Sequence, residues 1–301
     1  MKRLLLHVGY PKAASTSLQN GLFLALHKQK TINFLGRAFE SGFYGAKLNK
    51  DIYKEWFQHV VGGHNEPTHS IGELSDSVTN VFSEGLFMMS ERRRNAISGP
   101  DILHRYFSPQ ADQVDVLLVI RKQPDLIPSY YTQNFRRMQN KIFSQYLAHN
   151  LKQAWGGEAK IFNLHEVVSA YAAVFGKDRV HVVLFEDFVN DRDRFSSQMG
   201  KAMNVEPEAI KRNLGEAQLN ATRKEAGTLV IRKINTYSIR FVFIRVLEKL
   251  GLTVADSLRI RIPAVTEEEK KTIFDSFKDS NLRLAEEFSL DKKAMREYGY
   301  F

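Results

Sequence analysis

"RLLLHVGYPKAASTSLQ", Arg3 to Gln19, decides the fold of this 301-residue chain. An unbroken apolar run leads into a glycine, and a Ser/Thr cluster then opens a helix-like segment from Thr16 to Lys30. Apolar residues without alternation predict a strand covered on both faces, as in a parallel sheet. A strand, a tight loop and a helix N-terminus in succession make an anion site. The unpaired N–H groups of the first turn and the helix dipole both favour negative charge there.

Working outward, the same strand signature recurs in "VDVLLVIRK" (114–122), "RVHVVLFED" (179–187), "EGLFMMSE" (84–91) and, more weakly, "TINFLG" (31–36). Helical patterns lie between them at Pro124–Leu147, Asn163–Phe175 and Asp191–Met203. This alternation predicts an α/β fold: a P-loop-type, doubly wound, mainly parallel sheet flanked by helices, with its ligand at the carboxyl ends of the strands. From Glu206 the texture becomes charged and amphipathic, in "EAGTLVIRKINTYSIRFVFIRVLEKLG" (225–251) and "TEEEKKTIFDSFKDSNLRLAEEFSL" (266–290). We read 206–301 as a helical C-terminal extension of a single domain spanning 1–301. Residues 38–80 lack periodicity and suggest a binding loop or lid.

Composition narrows the classes. Hydrophobic residues make up 43% of the chain and charged residues 26%, ordinary values for a globular protein rather than a disordered one. A net charge of +9, from 43 Lys+Arg against 34 Asp+Glu, favours anionic partners without choosing among nucleic acid, nucleotide and acidic glycan. With no cysteine, disulfides and thiolate metal sites are excluded. No apolar stretch reaches the roughly 18 residues of a membrane span, and the start lacks the long apolar region of a signal peptide. A soluble, cytoplasmic protein is the expectation.

Laid on the nucleotide motif G-x-x-x-x-G-K-[ST], Gly9 takes the first glycine, Ala14 the second, Ser15 the lysine and Thr16 the hydroxyl position. The loop's lysine, Lys12, comes three residues early. The backbone N–H groups of Ala13, Ala14, Ser15, Thr16 and Ser17 suit one phosphate, whereas a triphosphate would lack its usual clamp. A plain strand-to-helix turn with a solvent lysine and a Ser/Thr cap is the alternative reading of the same residues. A second stretch, "VIRKQPDLIPSYYTQ" (119–133), ends a strand in Arg121 and places Ser129 eight residues later. A guanidinium gives bidentate bonds to a phosphate, and a hydroxyl completes such a pocket.

"PKAASTSL" resembles the 5′-phosphosulfate loop of sulfotransferases that use 3′-phosphoadenosine 5′-phosphosulfate (PAPS), in which the lysine stands early. In that family the lysine contacts the oxygen bridging phosphorus to sulfur, so the resemblance implies this role for Lys12. It implies 3′-phosphate binding for Arg121 and Ser129. "VLFEDF" (183–188) and "DSNLRLAEEFSLD" (279–291) resemble a late strand and a C-terminal segment of bacterial members. "NATRKEAG" (220–227) stands where the family has a loop returning to the nucleotide, so Thr222 and Arg223 are further candidates, with Lys224 beside them.

The function so implied is transfer of a sulfuryl group from PAPS to a hydroxyl, on a carbohydrate or glycolipid rather than nucleic acid. A nucleotide-dependent kinase with a degenerate loop and a non-catalytic binder of phosphorylated or sulfated ligands are the alternatives. Such transfer needs a proton acceptor. Glu91, after an apolar run and before Arg92, Arg93 and Arg94, is the first candidate and Glu40 the second. His59, His64 and His69 recur every five residues, a spacing that does not gather imidazoles on one helix face, so no metal is expected. His7, Trp56 and Trp155 read as packing residues. "SIRFVFIRVLEKLGL" (238–252) could lie on a membrane surface, although packing on the sheet is the expected fate of such a helix.

Overall fold

The computed structural model describes residues 1–36, 71–85, 99–135, 141–214, 224–225, 228–232 and 259–301. Five strands form one parallel sheet in the order β2-β3-β1-β4-β5: β1 Arg3–Val8, β2 Asn33–Gly36, β3 Asn80–Glu84, β4 Gln113–Ile120 and β5 Val180–Leu184. β1 lies between β3 and β4, with Val8 opposite Glu84 on one side and Leu118 on the other. The strand order reverses at β1. Loops leaving β1 and β4 therefore flank the crevice where open α/β sheets bind ligands.

The continuous apolar runs are buried because helices cover both faces. Leu4, Leu5, Leu6, Val116, Leu117, Leu118, Val119 and Ile120 are all fully buried. After β1 comes a helical segment, α1, built from Ser15–Ser17, a π-helical stretch Leu18–Phe23 and Leu24–Lys28. The helices that follow are α2 Gly99–Phe107, α3 Gln123–Asn134, α4 Phe143–Lys152, α5 Leu164–Phe175, α6 Phe185–Asn190, α7 Arg192–Met203 and α8 Pro207–Asn213. Two more, α9 Glu267–Glu287 and α10 Lys292–Tyr298, close the chain. α9 opens with a reciprocal cap in which Glu269 N–H donates to Thr266 Oγ1 at 3.1 Å and Thr266 N–H to Glu269 Oε2 at 2.8 Å.

Four sequence expectations shift. The strand assigned to "EGLFMMSE" ends where that stretch begins: β3 is Asn80–Glu84, and 86–98 fall outside the described residues. Glu186 and Asp187 sit in the first turn of α6 rather than at the end of a strand. Pro124–Leu147 holds two helices, α3 ending at Asn134 and α4 beginning at Phe143 after an extended Ile142, with Lys141's carbonyl accepting from the Tyr131 hydroxyl. The C-terminal part is helical at its end but also holds an antiparallel three-stranded sheet, β6 Lys224–Glu225, β7 Thr228–Arg232 and β8 Arg259–Pro263. The three β-branched residues in Thr-Leu-Val-Ile of β7 and the period of two in Arg-Ile-Arg-Ile of β8 favour strand over helix.

Of the remaining expectations, His7 and Trp155 are core residues. His7 is fully buried against Phe23, with ring centroids 5.4 Å apart, and Trp155 packs on Phe277 at 4.9 Å. Trp56, His59, His64, His69, the amphipathic 238–252 segment and most of 38–80 lie outside the described residues. Among the described residues no helix is long and apolar enough to cross a membrane, and no cluster of His, Asp and Glu could hold a metal.

Candidate functional site

At the carboxyl end of β1 the chain passes close to β3. Gly9 N–H donates to the Glu84 carbonyl at 3.2 Å, and a Cβ on Gly9 would stand 2.7 Å from Gly85 Cα. No side chain fits in that gap. The loop then turns through two left-handed residues, Lys12 at φ 63° and Ala14 at φ 60°. Glycine is the residue that adopts this conformation without strain. Ala14, in the place of the second motif glycine, therefore holds a backbone conformation that glycine favours.

Inside the loop, Tyr10's carbonyl accepts from Ser15 Oγ at 3.2 Å and from Ala13 N–H at 3.4 Å. Ala13 is fully buried, so it anchors the loop, and its N–H is directed inward. Ala14 at the N-cap has no side chain with which to cap the helix. The first-turn N–H groups of Ser15, Thr16 and Ser17 are therefore the donors an anion would meet. Thr16 is exposed, and Ser15 and Ser17 are half-buried. Beneath them Gln19 Nε2 donates to Ser83 Oγ at 2.7 Å, and Ser83 Oγ lies 2.6 Å from His7 Nδ1, a buried polar bridge joining α1, β3 and β1.

Arg121 leaves β4 on the other side of β1 and turns back over the loop. Its Nη1 donates to the Lys12 carbonyl at 3.0 Å, and its guanidinium carbon lies 4.7 Å from the centre of the Phe185 ring. Nε of Arg121 is buried and has no acceptor among the described residues. The two basic groups singled out from separate stretches thus share one place. Burial, and after it the charge of Arg121, hold the Lys12 ammonium below the ordinary lysine range.

Ser129 is not joined to this pair by any hydrogen bond among the described residues. It is half-buried on α3, just after Pro128, which lacks the N–H that would reach the Pro124 carbonyl. Thr132 Oγ1 donates to the Pro128 carbonyl at 2.8 Å. Glu91, Glu40, Arg92, Arg93, Arg94, Thr222 and Arg223 fall outside the described residues; Lys224 begins β6.

Three features escaped the sequence reading. Glu84 is buried at the end of β3 beside Gly9, an acid at the sheet's carboxyl edge. Its signal was the Glu-Gly pair closing a buried run, read there as a strand start. Phe185 is the surface under Arg121. The chain's last residues also reach the β4 edge, which no local pattern announces.

No family model matches the sequence, and no curated protein matches it significantly. Among solved structures, a sulfotransferase from Alicyclobacillus acidocaldarius superposes with a TM-score of 0.51 at 13% identity, covering 97% of this chain and 98% of that one. This chain has a sulfotransferase fold. The sulfotransferase domain of the Synechococcus PCC 7002 olefin synthase covers 96% of this chain and 95% of its own at 12% identity, but at a TM-score of 0.38 it adds no weight.

Proposed function

We propose that this protein is a PAPS-dependent sulfotransferase acting on a hydroxyl acceptor, a carbohydrate or glycolipid. The observation that carries the reading is the meeting of Arg121 with Lys12 through the latter's carbonyl, at 3.0 Å. One nucleotide bearing two anionic groups needs both motifs within reach of a single molecule. The buried Nε of Arg121, with no acceptor among the described residues, fits a phosphate, because an uncompensated buried donor is otherwise costly.

In this reading the N–H groups of Ser15, Thr16 and Ser17 hold the 5′-phosphate, with Ala13 and Ala14 shaping the loop around it. Arg121 and Ser129 hold the 3′-phosphate, and Thr222 and Arg223 close over it. PAPS supplies an activated sulfuryl group whose departure leaves charge on a phosphate oxygen. The Lys12 ammonium stabilises that charge, a role worth 10²–10³ in rate for a single preorganised donor. Depressed basicity helps here, since a poorly solvated cation gains more from an anion than a hydrated one does. Glu91 takes the proton of the attacking hydroxyl, and no metal is required. The whole chain acts as one domain, in the cytoplasm.

Calorimetry with adenosine 3′,5′-bisphosphate and with Mg²⁺–ATP, followed by transfer of labelled sulfate from PAPS to a glycan panel, tests the proposal. Binding of the bisphosphate but not ATP, with label transferred, supports it. ATP binding in preference to the bisphosphate overturns it. Glu91→Gln should cut transfer at least 10²-fold while leaving bisphosphate binding intact.

A further inference from the structure

The last residue of α10 and the two that follow it, Tyr298–Tyr300, run along the turn between β4 and α3. Tyr300 is almost fully buried, and its hydroxyl lies 2.6 Å from Glu186 Oε2 and 3.3 Å from the Ile120 carbonyl. Glu186 Oε1 in turn accepts from the Lys122 N–H at 3.2 Å. Lys122 Nζ donates to the Tyr298 carbonyl at 2.8 Å. Asn281 on α9 completes the tie. It exchanges two amide bonds with Gln123, at 2.9 and 3.0 Å, and donates to the Tyr300 carbonyl at 2.9 Å.

Five of these seven contacts fall on residues 120, 122 or 123, so the residue they bracket is Arg121. Among the described residues Arg121 itself receives little local support: one bond to a loop carbonyl and the face of Phe185. Phe185 adjoins Glu186, so the surface under the guanidinium and the carboxylate holding the turn belong to the same first turn of α6. We propose that Tyr300 is a positioning residue for Arg121: through Glu186 and the 120–123 backbone, the C-terminal segment sets where the guanidinium stands. This rests on the functional reading above for the ligand, but not for the geometry. Burial, then the charge of Glu186, push the Tyr300 hydroxyl well above its ordinary range, and Arg121 is the charge that opposes them, as its proximity requires.

Tyr298, two residues earlier, supplies a matched control. Its hydroxyl accepts from Arg194 Nη2 at 2.6 Å, in a cluster with Asp187 and Asp291 that does not touch the 120–123 turn through that hydroxyl. Tyr300→Phe and Tyr298→Phe each delete a 2.6 Å hydroxyl contact from the same segment, and the first, at the fully buried site, should lower thermal stability the more. A purely structural role predicts no other difference between them.

Two readouts separate the variants: the affinity for adenosine 3′,5′-bisphosphate by calorimetry, and the Arg121 Nε–H resonance, identified by its loss in Arg121→Lys. Tyr300→Phe should weaken binding at least tenfold and shift or broaden that resonance, whereas Tyr298→Phe should leave binding within twofold and the resonance in place. Should Tyr300→Phe not fold, Lys122→Met cuts the other tether at a half-buried position and should move the resonance in the same way. The inference is overturned if the variant that folds leaves both the resonance and the affinity as in Tyr298→Phe. If the wild-type protein binds no bisphosphate, the functional reading fails, and the resonance alone then decides the inference.

Discussion

At the amino-terminal edge of the main sheet, cations converge on one buried carboxylate. Asp115, only 1% exposed, accepts from Arg3 Nε at 2.6 Å and Gln113 Nε2 at 2.8 Å, with Arg179 Nη1 at 3.5 Å. At the carboxyl edge, Lys12 and Arg121 meet with no acidic side chain among the described residues pairing with either, over a loop that holds two residues in the left-handed region. In the first arrangement the buried charge is paired within the folded chain, although Asp115 Oδ1 makes no hydrogen bond among the described residues. The second places like charges together and leaves a buried donor without an acceptor, which lowers stability unless an anion arrives. Both edges belong to the same strands. Charge pairing therefore distinguishes the end that holds the sheet together from the end that is prepared for a ligand.

The sharpest way to break the comparison is Asp115→Ala. It leaves Arg3 and Arg179 facing each other at a site where removal of one partner of a buried pair costs about 3–5 kcal/mol. Arg3 keeps its bond to the Ala202 carbonyl at 2.9 Å and some solvent contact, so we expect a loss of about 3 kcal/mol in denaturant unfolding. Nucleotide binding by the fraction that stays folded should be unchanged.

Lys12→Met is the counterpart at the other edge. Transfer from PAPS should fall about 10²–10³-fold, as for loss of a transition-state donor, while the ligand-free protein becomes more stable. The sign follows from Lys12's lowered pKa, caused first by burial and then by Arg121. The folded chain binds that proton less tightly than the unfolded chain does. The resulting penalty is present in full below the folded value and disappears as pH rises through the ordinary lysine range. The gain from Lys12→Met should therefore be seen in thermal melts at neutral pH and vanish in alkaline buffer. A loss of stability at neutral pH would place Lys12 against an unseen counter-ion instead.

These two edges were not equally legible in the sequence. The carboxyl edge could be read because its chemistry is local: a glycine, a lysine and a hydroxyl cluster within nine residues, and an arginine at the end of an apolar run. That Arg121 lands on Lys12 followed from strand order, since β4 neighbours β1. Asp115 was hidden by its own strand, where one acid in "VDVLLVIRK" looks like a break in an apolar run, and its partners Arg3 and Arg179 come from the starts of other strands. Glu84 was displaced because "EGLFMMSE" is more apolar than "NVFSE". The strand nevertheless forms in the latter, with Asn80 tied down by its side-chain bonds to the Arg3 and Ser75 carbonyls at 3.0 and 2.9 Å. The small C-terminal sheet was masked by the charged, amphipathic texture of the chain from Glu206 onward, which reads as helix. The tie of Tyr300 to Glu186 spans 114 residues, beyond any window of periodicity.

The smallest effects lie within the loop itself, where a glycine and an alanine hold opposite constraints. Gly9 has no room for a side chain: a Cβ there would meet Gly85 Cα at 2.7 Å and Ser15 Oγ at 3.0 Å. Gly9→Ala must push β1 and β3 apart at their ends, and overpacking of this kind costs about 1–3 kcal/mol. Ala14 is the reverse case, since its φ of 60° strains an alanine by roughly 1–2 kcal/mol, a strain that glycine relieves. Glycine also gives the unfolded chain more freedom, which offsets about 0.4–1 kcal/mol of that relief. Ala14→Gly should therefore raise stability by about 0.5–1 kcal/mol in denaturant unfolding and leave bisphosphate affinity within twofold, because the backbone already has the shape glycine favours. If instead the variant binds the bisphosphate much more weakly at equal or higher stability, the strain at Ala14 is holding the first-turn donors in place, and the carboxyl edge depends on its rigidity as well as on its charge.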